Sequence, residues 1–106
     1  HRQMTERRVF EWDEAKAQEN VRRGRPDFDE AISFDFATAV ITEDQRNDYG
    51  EIRLQAIGFV AERLHVLVYT ERSERIRVIS FRKANEREVT RYDREARGRH
   101  QDASDR

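Results

Sequence analysis

The chain has no cysteine, which excludes disulfides and thiolate chemistry and fits an intracellular setting. Lysine is nearly absent too: Lys16 and Lys83 are the only two among 21 basic residues, and arginine supplies the rest. The histidines fall at a terminus (His1), in an apolar run (His65) and in a polar tail (His100), with no His-x-x-x-His or Asp-x-Asp spacing. No glycine-rich phosphate loop occurs, so zinc and nucleoside-triphosphate mechanisms lack their parts, and neither a metal nor a cofactor is expected. Ser33, Ser73 and Ser80 stand in no nucleophile signature. His65, on an apolar strand, reads as a half-buried structural histidine rather than a general base. No apolar run approaches the roughly 20 residues that span a bilayer. The longest, Leu64 to Tyr69, is interrupted by His65. Residues 1–9 are polar and basic, unlike a secretory signal. A cytoplasmic protein without a membrane partner is therefore expected.

What is present fits one domain over residues 1–106, with a core over about 8–97 and tails at 1–7 and 98–106. The lone methionine is Met4, and His1, Arg2 and Gln3 are set aside from the reading. Hydrophobic residues make up 36% and charged ones 41%, so each element must confine its apolar side chains to one face. Net charge is −1, yet it is polarised. From Asp27 to Glu51 eight acidic residues face Arg46 alone, giving −7; from Glu71 to His100 ten basic residues and six acidic ones give +4. The basic half suits a polyanion and the acidic half a basic partner.

Arg8 to Trp12 alternates as a short strand. Asp13 caps a helix to about Arg23, stopped by Gly24 and Pro26, with Trp12, Lys16 and Asn20 along one side. Asp27 and Glu30 open a second short helix, with Phe28, Ala31, Ile32 and Phe36 at helical spacing. Four strand-like runs follow: Ala37–Thr42, Ile52–Val60, Leu64–Thr70 and Arg75–Arg82, with a first loop over Asp44 to Gly50 and tight connections at 61–63 and 71–74. Asn85 with Glu88 opens a last helix to about Arg97, which Val89, Tyr92 and Ala96 pack on the sheet. The order β-α-α-β-β-β-β-α predicts an α+β domain: a mostly antiparallel sheet of 4–5 strands, two N-terminal helices and one C-terminal helix.

The most suggestive stretch is Arg75 to Asp93, an apolar strand studded with arginines that runs into a capped helix bearing more. Guanidinium groups grip phosphate oxygens bidentately and keep their charge near neutral pH. Base composition explains an arginine excess but not its uneven placement. With arginine, lysine, carboxylate and tyrosine available, one reaction class fits well: RNA cleavage by its own 2′-hydroxyl. The substrate supplies the nucleophile, and fixed cations stabilise the pentavalent phosphate. Arg72, Arg77, Arg82 and Lys83 are the candidate cluster. Arg82 shares strand parity with Ile76 and Val78, and Arg77 shares it with Ile79 and Phe81, so they converge only if the strand twists or bulges. Glu88 and Tyr92, at i and i+4, share a helix face and are candidate proton carriers, although a cap and a packing ring are equally natural roles.

Several separated motifs resemble the BrnT family of toxins. They are Phe10-Glu-Trp-Asp13 with Lys16 and Asn20, Phe28 with Ala31-Ile-Ser-Phe34, Arg53 with Ile57-Gly58, Tyr69-Thr-Glu-Arg72, and Arg77-Val-Ile-Ser-Phe-Arg-Lys-Ala84, followed by Glu88 and Tyr92. The resemblance covers about residues 9–95. It implies a RelE-like fold and a type II toxin that cleaves RNA and arrests translation. It also implies a hetero-oligomer with a BrnA-like ribbon-helix-helix antitoxin, through which alone the complex would meet operator DNA. Lys16, Arg53, Arg75 and Arg91 are candidate RNA contacts. Many members carry a Lys-His-Gly turn where this chain has Arg22-Arg-Gly24, which favours cation-stabilised cleavage over histidine acid–base catalysis. Two other readings stand beside the ribonuclease: a non-catalytic RNA- or ribosome-binding module, and a co-repressor scaffold for the DNA-binding partner.

Overall fold

The computed structural model describes residues 9–44 and 50–104. Its elements are β1 (Val9–Glu11), α1 (Glu14–Arg22), a 3-10 segment (Phe28–Ser33), β2 (Val40–Asp44), β3 (Arg53–Val60), β4 (Arg63–Arg72), β5 (Arg75–Lys83) and α2 (Glu86–Ser104). Arg8 at the start of the expected first strand, the tail 1–7, the loop interior 45–49 and residues 105–106 lie outside the described residues.

The fold class is α+β, with one five-stranded sheet in the order β1-β5-β4-β3-β2. The sheet is mixed. Strands β2 to β5 pair antiparallel, as short hairpins permit, whereas β1 joins the β5 edge in parallel. The expected second helix is a 3-10 turn: the Asp27 side chain accepts from Asp29 N, and Phe34 N donates to Ala31 O at 3.0 Å. Three residues per turn align Phe28, Ala31 and Phe34 in the core and turn Ile32 outward to 58% exposure. Strand β2 starts at Val40 rather than Ala37 because the Asp35 carboxylate binds Ala37 N (3.0 Å) and Thr38 Oγ1 (2.8 Å), holding those residues in a turn. Helix α2 runs past its expected end near Arg97.

The sheet buries both faces. On one, α1 and the 3-10 segment cover Leu67, Tyr69, Ile76, Val78 and Phe81; on the other, α2 lays Tyr92 over Val40, Ile57, Leu64 and Val66. Asp13 caps α1 through Ala15 N (2.9 Å), and Asn20 ties it down by donating to Phe81 O (2.7 Å) and Pro26 O (2.9 Å). His65 is buried on the α1 face, stacked 5.0 Å from Phe81. Its Nδ1 lies 2.9 Å from Arg63 O, and since a carbonyl only accepts, that nitrogen donates. Gly58 lets Phe34 cross β3, because a Cβ there would lie 2.7 Å from Phe34 Cζ.

Candidate functional site

A bulge decides which arginines share a face. Val68 pairs with Ser80 and Tyr69 with Val78, leaving Ile79 as an extra residue on β5. Ile76 and Val78 before it, and Phe81 after it, all reach the α1 core. Parity therefore changes at Ile79, and Arg77 and Arg82 come out on the same side, the α2 side. This is the condition that the strand pattern set for their convergence.

Cross-strand register then assembles a row over all five strands. Glu11 on β1 pairs with Arg77 on β5, and Arg77 with Thr70 on β4. Arg53 on β3 stands just beyond the Leu54–Tyr69 pair, beside Thr70, and pairs with Asp44 on β2. The row reads carboxylate, guanidinium, hydroxyl, guanidinium, carboxylate, and at strand spacing it spans about 19 Å. One step outward, Arg72 pairs with Arg75. Inward, Val66 pairs with Arg82, where α2 begins to cover the sheet.

Carboxylates hold these arginines in place. Glu11 bridges two of them, with Arg75 Nη1 at 3.1 Å from Oε1 and Arg77 Nη1 at 3.6 Å from Oε2. Arg72 donates to Glu51 at 3.2–3.3 Å. Arg82 forms a two-pronged pair with Glu88, at 2.8 and 2.7 Å. Glu88 also closes the capping box of α2: its Oε1 accepts from Asn85 N and its own N–H donates to Asn85 Oδ1, both at 2.9 Å. The hydrogen bonds from Arg82 hold the Glu88 carboxyl below the usual glutamate value, Asn85 N–H adds to this, and burial opposes it. Tyr92 is buried, packs edge-on against Phe59 and donates from its hydroxyl to Thr38 O at 3.0 Å. Thr70 is 1% exposed, and its buried Oγ1 has no hydrogen-bond partner among the described residues. An unpaired buried hydroxyl costs on the order of 1–3 kcal/mol.

The sheet thus gathers Arg53, Arg72, Arg75, Arg77 and Arg82 on one face. It does not bring Lys83 to them. Lys83 pairs with His65 on the α1 side, because neighbouring residues of a strand point oppositely. Lys16 is exposed on α1, on that same far side. Arg91 pairs with Glu95 at 3.3 Å and shares a groove on α2 with Glu88. Glu51 belongs to the acidic segment by sequence yet reaches the arginine face, so the two charge blocks are not wholly separate in space. Sequence reasoning missed Glu11 and Thr70. The Phe10-Glu-Trp-Asp13 motif contained the first, but only the parallel β1–β5 pairing sets it against arginine. Among the described residues no helix is long and apolar enough to cross a membrane.

A family model described as the ribonuclease toxin BrnT of type II toxin–antitoxin systems matches residues 12–88. Comparison with curated proteins and with solved structures gives no match.

Proposed function

Because the chain belongs to the BrnT family of ribonuclease toxins of type II toxin–antitoxin systems, we propose that it cleaves RNA on the arginine-bearing face of its sheet. Attack comes from the 2′-hydroxyl of the RNA, without a metal ion. The shared face of Arg53, Arg72, Arg75, Arg77 and Arg82 is the observation that carries this reading: several guanidinium groups on one side of a sheet, unlike a single basic loop, can track a phosphate backbone. Arg77 and Arg72 contact the scissile phosphate, and Arg53, Arg75 and Arg91 hold flanking phosphates. Arg82 adds charge from the helix side, oriented by Glu88. Glu88 and Tyr92 serve placement rather than proton transfer, since the first is locked between Arg82 and Asn85 and the second is tied to Thr38 O. The fold is read as RelE-like and the chain as cytoplasmic.

Membership of a type II family implies an antitoxin partner. We assign it the ribbon-helix-helix type, bound over the arginine face so that inhibition and RNA binding exclude one another. Asp27, Asp29 and Glu30, exposed on the 3-10 segment, then lie on the side away from the partner's DNA-binding half. Charge reversal at Arg77 should weaken RNA and antitoxin binding together. A crosslinking map placing the antitoxin wholly on residues 27–51, with RNA still bound to the complex, would refute this arrangement.

The test of cleavage uses a short unstructured oligoribonucleotide with excess chelator. Shortened products ending in a 2′,3′-cyclic phosphate are expected. Cleavage that vanishes in chelator and returns only with a divalent ion rules the mechanism out. The engagement of Glu88 and Tyr92 favours, as second reading, a module that blocks RNA by occupancy. Such a module would shift the oligonucleotide on a gel without shortening it.

A further inference from the structure

We propose that Glu11 is the general base of the cleavage reaction, accepting the proton of the attacking 2′-hydroxyl; this rests on the ribonuclease reading above. Three observations lead to it. First, Glu11 is the carboxylate that ends the arginine row on β1, placed by its register with Arg77. Its side chain is 27% exposed, open enough for substrate and closed enough to be held. Second, its oxygens meet Arg75 and Arg77, one apiece, at 3.1 and 3.6 Å, and both arginines come from β5. Strand β1 is the edge of the sheet with β5 as its neighbour, and among the described residues Arg75 and Arg77 are the ion-pair partners of Glu11. A carboxylate accepts at about four lone-pair positions, so this pairing leaves room for a hydroxyl donor.

Third, the other carboxylates near the arginines are placed less well. Glu88 holds two Arg82 nitrogens and the Asn85 N–H at once, and its side chain is only 17% exposed. Glu51 lies in the connection before β3, off the sheet, with both oxygens on Arg72. Asp44 ends the row on β2, three strands from Arg77, so Glu11 is the carboxylate that joins a strand position, contact with Arg77 and partial exposure.

The step balances without a co-reactant. The 2′-hydroxyl proton passes to a Glu11 oxygen as the 2′-oxygen bonds to phosphorus. The bond from phosphorus to the 5′-oxygen breaks, that oxygen takes a proton from solvent water, and Glu11 later returns its proton to solvent. Arg77, between Glu11 and the buried Thr70 hydroxyl, faces the charge that grows on the phosphate oxygens.

The experiment compares the parent chain with Glu11→Gln and Glu11→Asp on a short mixed-sequence oligoribonucleotide. Binding is measured in parallel on the 2′-O-methyl counterpart, which cannot be cleaved this way. Glu11→Gln should slow cleavage by about 100-fold or more. It should bind the 2′-O-methyl strand at least as tightly, because a competing carboxylate is gone. Glu11→Asp, which keeps a carboxylate on a shorter side chain, should retain more of the rate than Glu11→Gln. A Glu11→Gln chain that cleaves at the parent's rate overturns the assignment, as does one whose binding falls in step with cleavage. Should Glu11→Gln not fold, Glu11→Asp decides: slowed cleavage with binding kept supports the base, and an unchanged rate overturns it. If the parent itself binds the strand but never shortens it, the ribonuclease reading fails, and the base assignment with it.

Discussion

Glu88 shows at the level of one residue how a cap and an ion pair become a single device. Its carboxylate closes the N-terminus of α2 and fixes the Arg82 guanidinium in the same geometry. Glu88→Gln should therefore destabilise the fold by roughly 1–2 kcal/mol at neutral pH. The pH dependence follows from the lowered value of this carboxyl. Its stabilisation is full above the ordinary 4.5 and is lost as pH falls through the lower folded-state value. Urea denaturation of the parent and Glu88→Gln should show a constant stability gap above pH 4.5, closing as the pH falls from there through the lower folded-state value. A gap that persists unchanged in acid would mean that the carboxylate charge contributes nothing. Arg82→Ala should lower stability as well as cleavage, because it leaves a half-buried carboxylate without its main partner. Asn85 and Glu88 were readable from sequence as a capping box, since that signal is local. That the same glutamate reaches back to β5 was not, because Arg82 and Glu88 meet only after the chain turns onto the sheet.

Among the elements, β5 carries most of the arginines of the proposed site, and its bulge is the part that residue patterning could not supply. The alternation of Arg75 to Arg82 set out the alternatives: Arg77 and Arg82 apart on a regular strand, or together on a bulged one. The choice is made by pairing with β4, where Ile79 is left over. Other boundaries came from short-range chemistry and were legible: the Asp13 cap, the turn at Gly24 (φ +80°) and the β3–β4 and β4–β5 hairpins. The parallel docking of β1 and the 3-10 form of the Phe28 segment depended on distant partners and were not. Close packing at one glycine gives a direct check. Gly58→Ala places a methyl group against Phe34, and it should cost about 1–3 kcal/mol, read as a lower midpoint of thermal unfolding. Ala61 gives the opposite sign, because it turns the β3–β4 hairpin at φ 56°. Ala61→Gly should raise the midpoint by relieving about 1 kcal/mol of left-handed strain. An unchanged midpoint in both variants would contradict this description of β3 and its turn.

For the molecule as a whole, a net charge of −1 conceals an arginine face whose cations are partly balanced by Glu11, Glu51 and Glu88. Such balance moderates indiscriminate attraction to polyanions while leaving the row preorganised. Binding to single-stranded RNA should weaken with salt, and Arg77→Ala should flatten the log–log salt slope by roughly 0.7, the share of one phosphate. The two lysines provide an internal control, since Lys16 and Lys83 sit on the α1 side of the sheet. The deciding measurement is the rate of oligoribonucleotide cleavage by Arg77→Ala, Lys16→Ala and Lys83→Ala at equal folded concentration. Arg77→Ala should lose about 100-fold, as when one transition-state contact is removed, while both lysine variants stay close to the parent. Full activity in Arg77→Ala, with the loss falling on a lysine variant instead, would put the chemistry on the other side of the sheet.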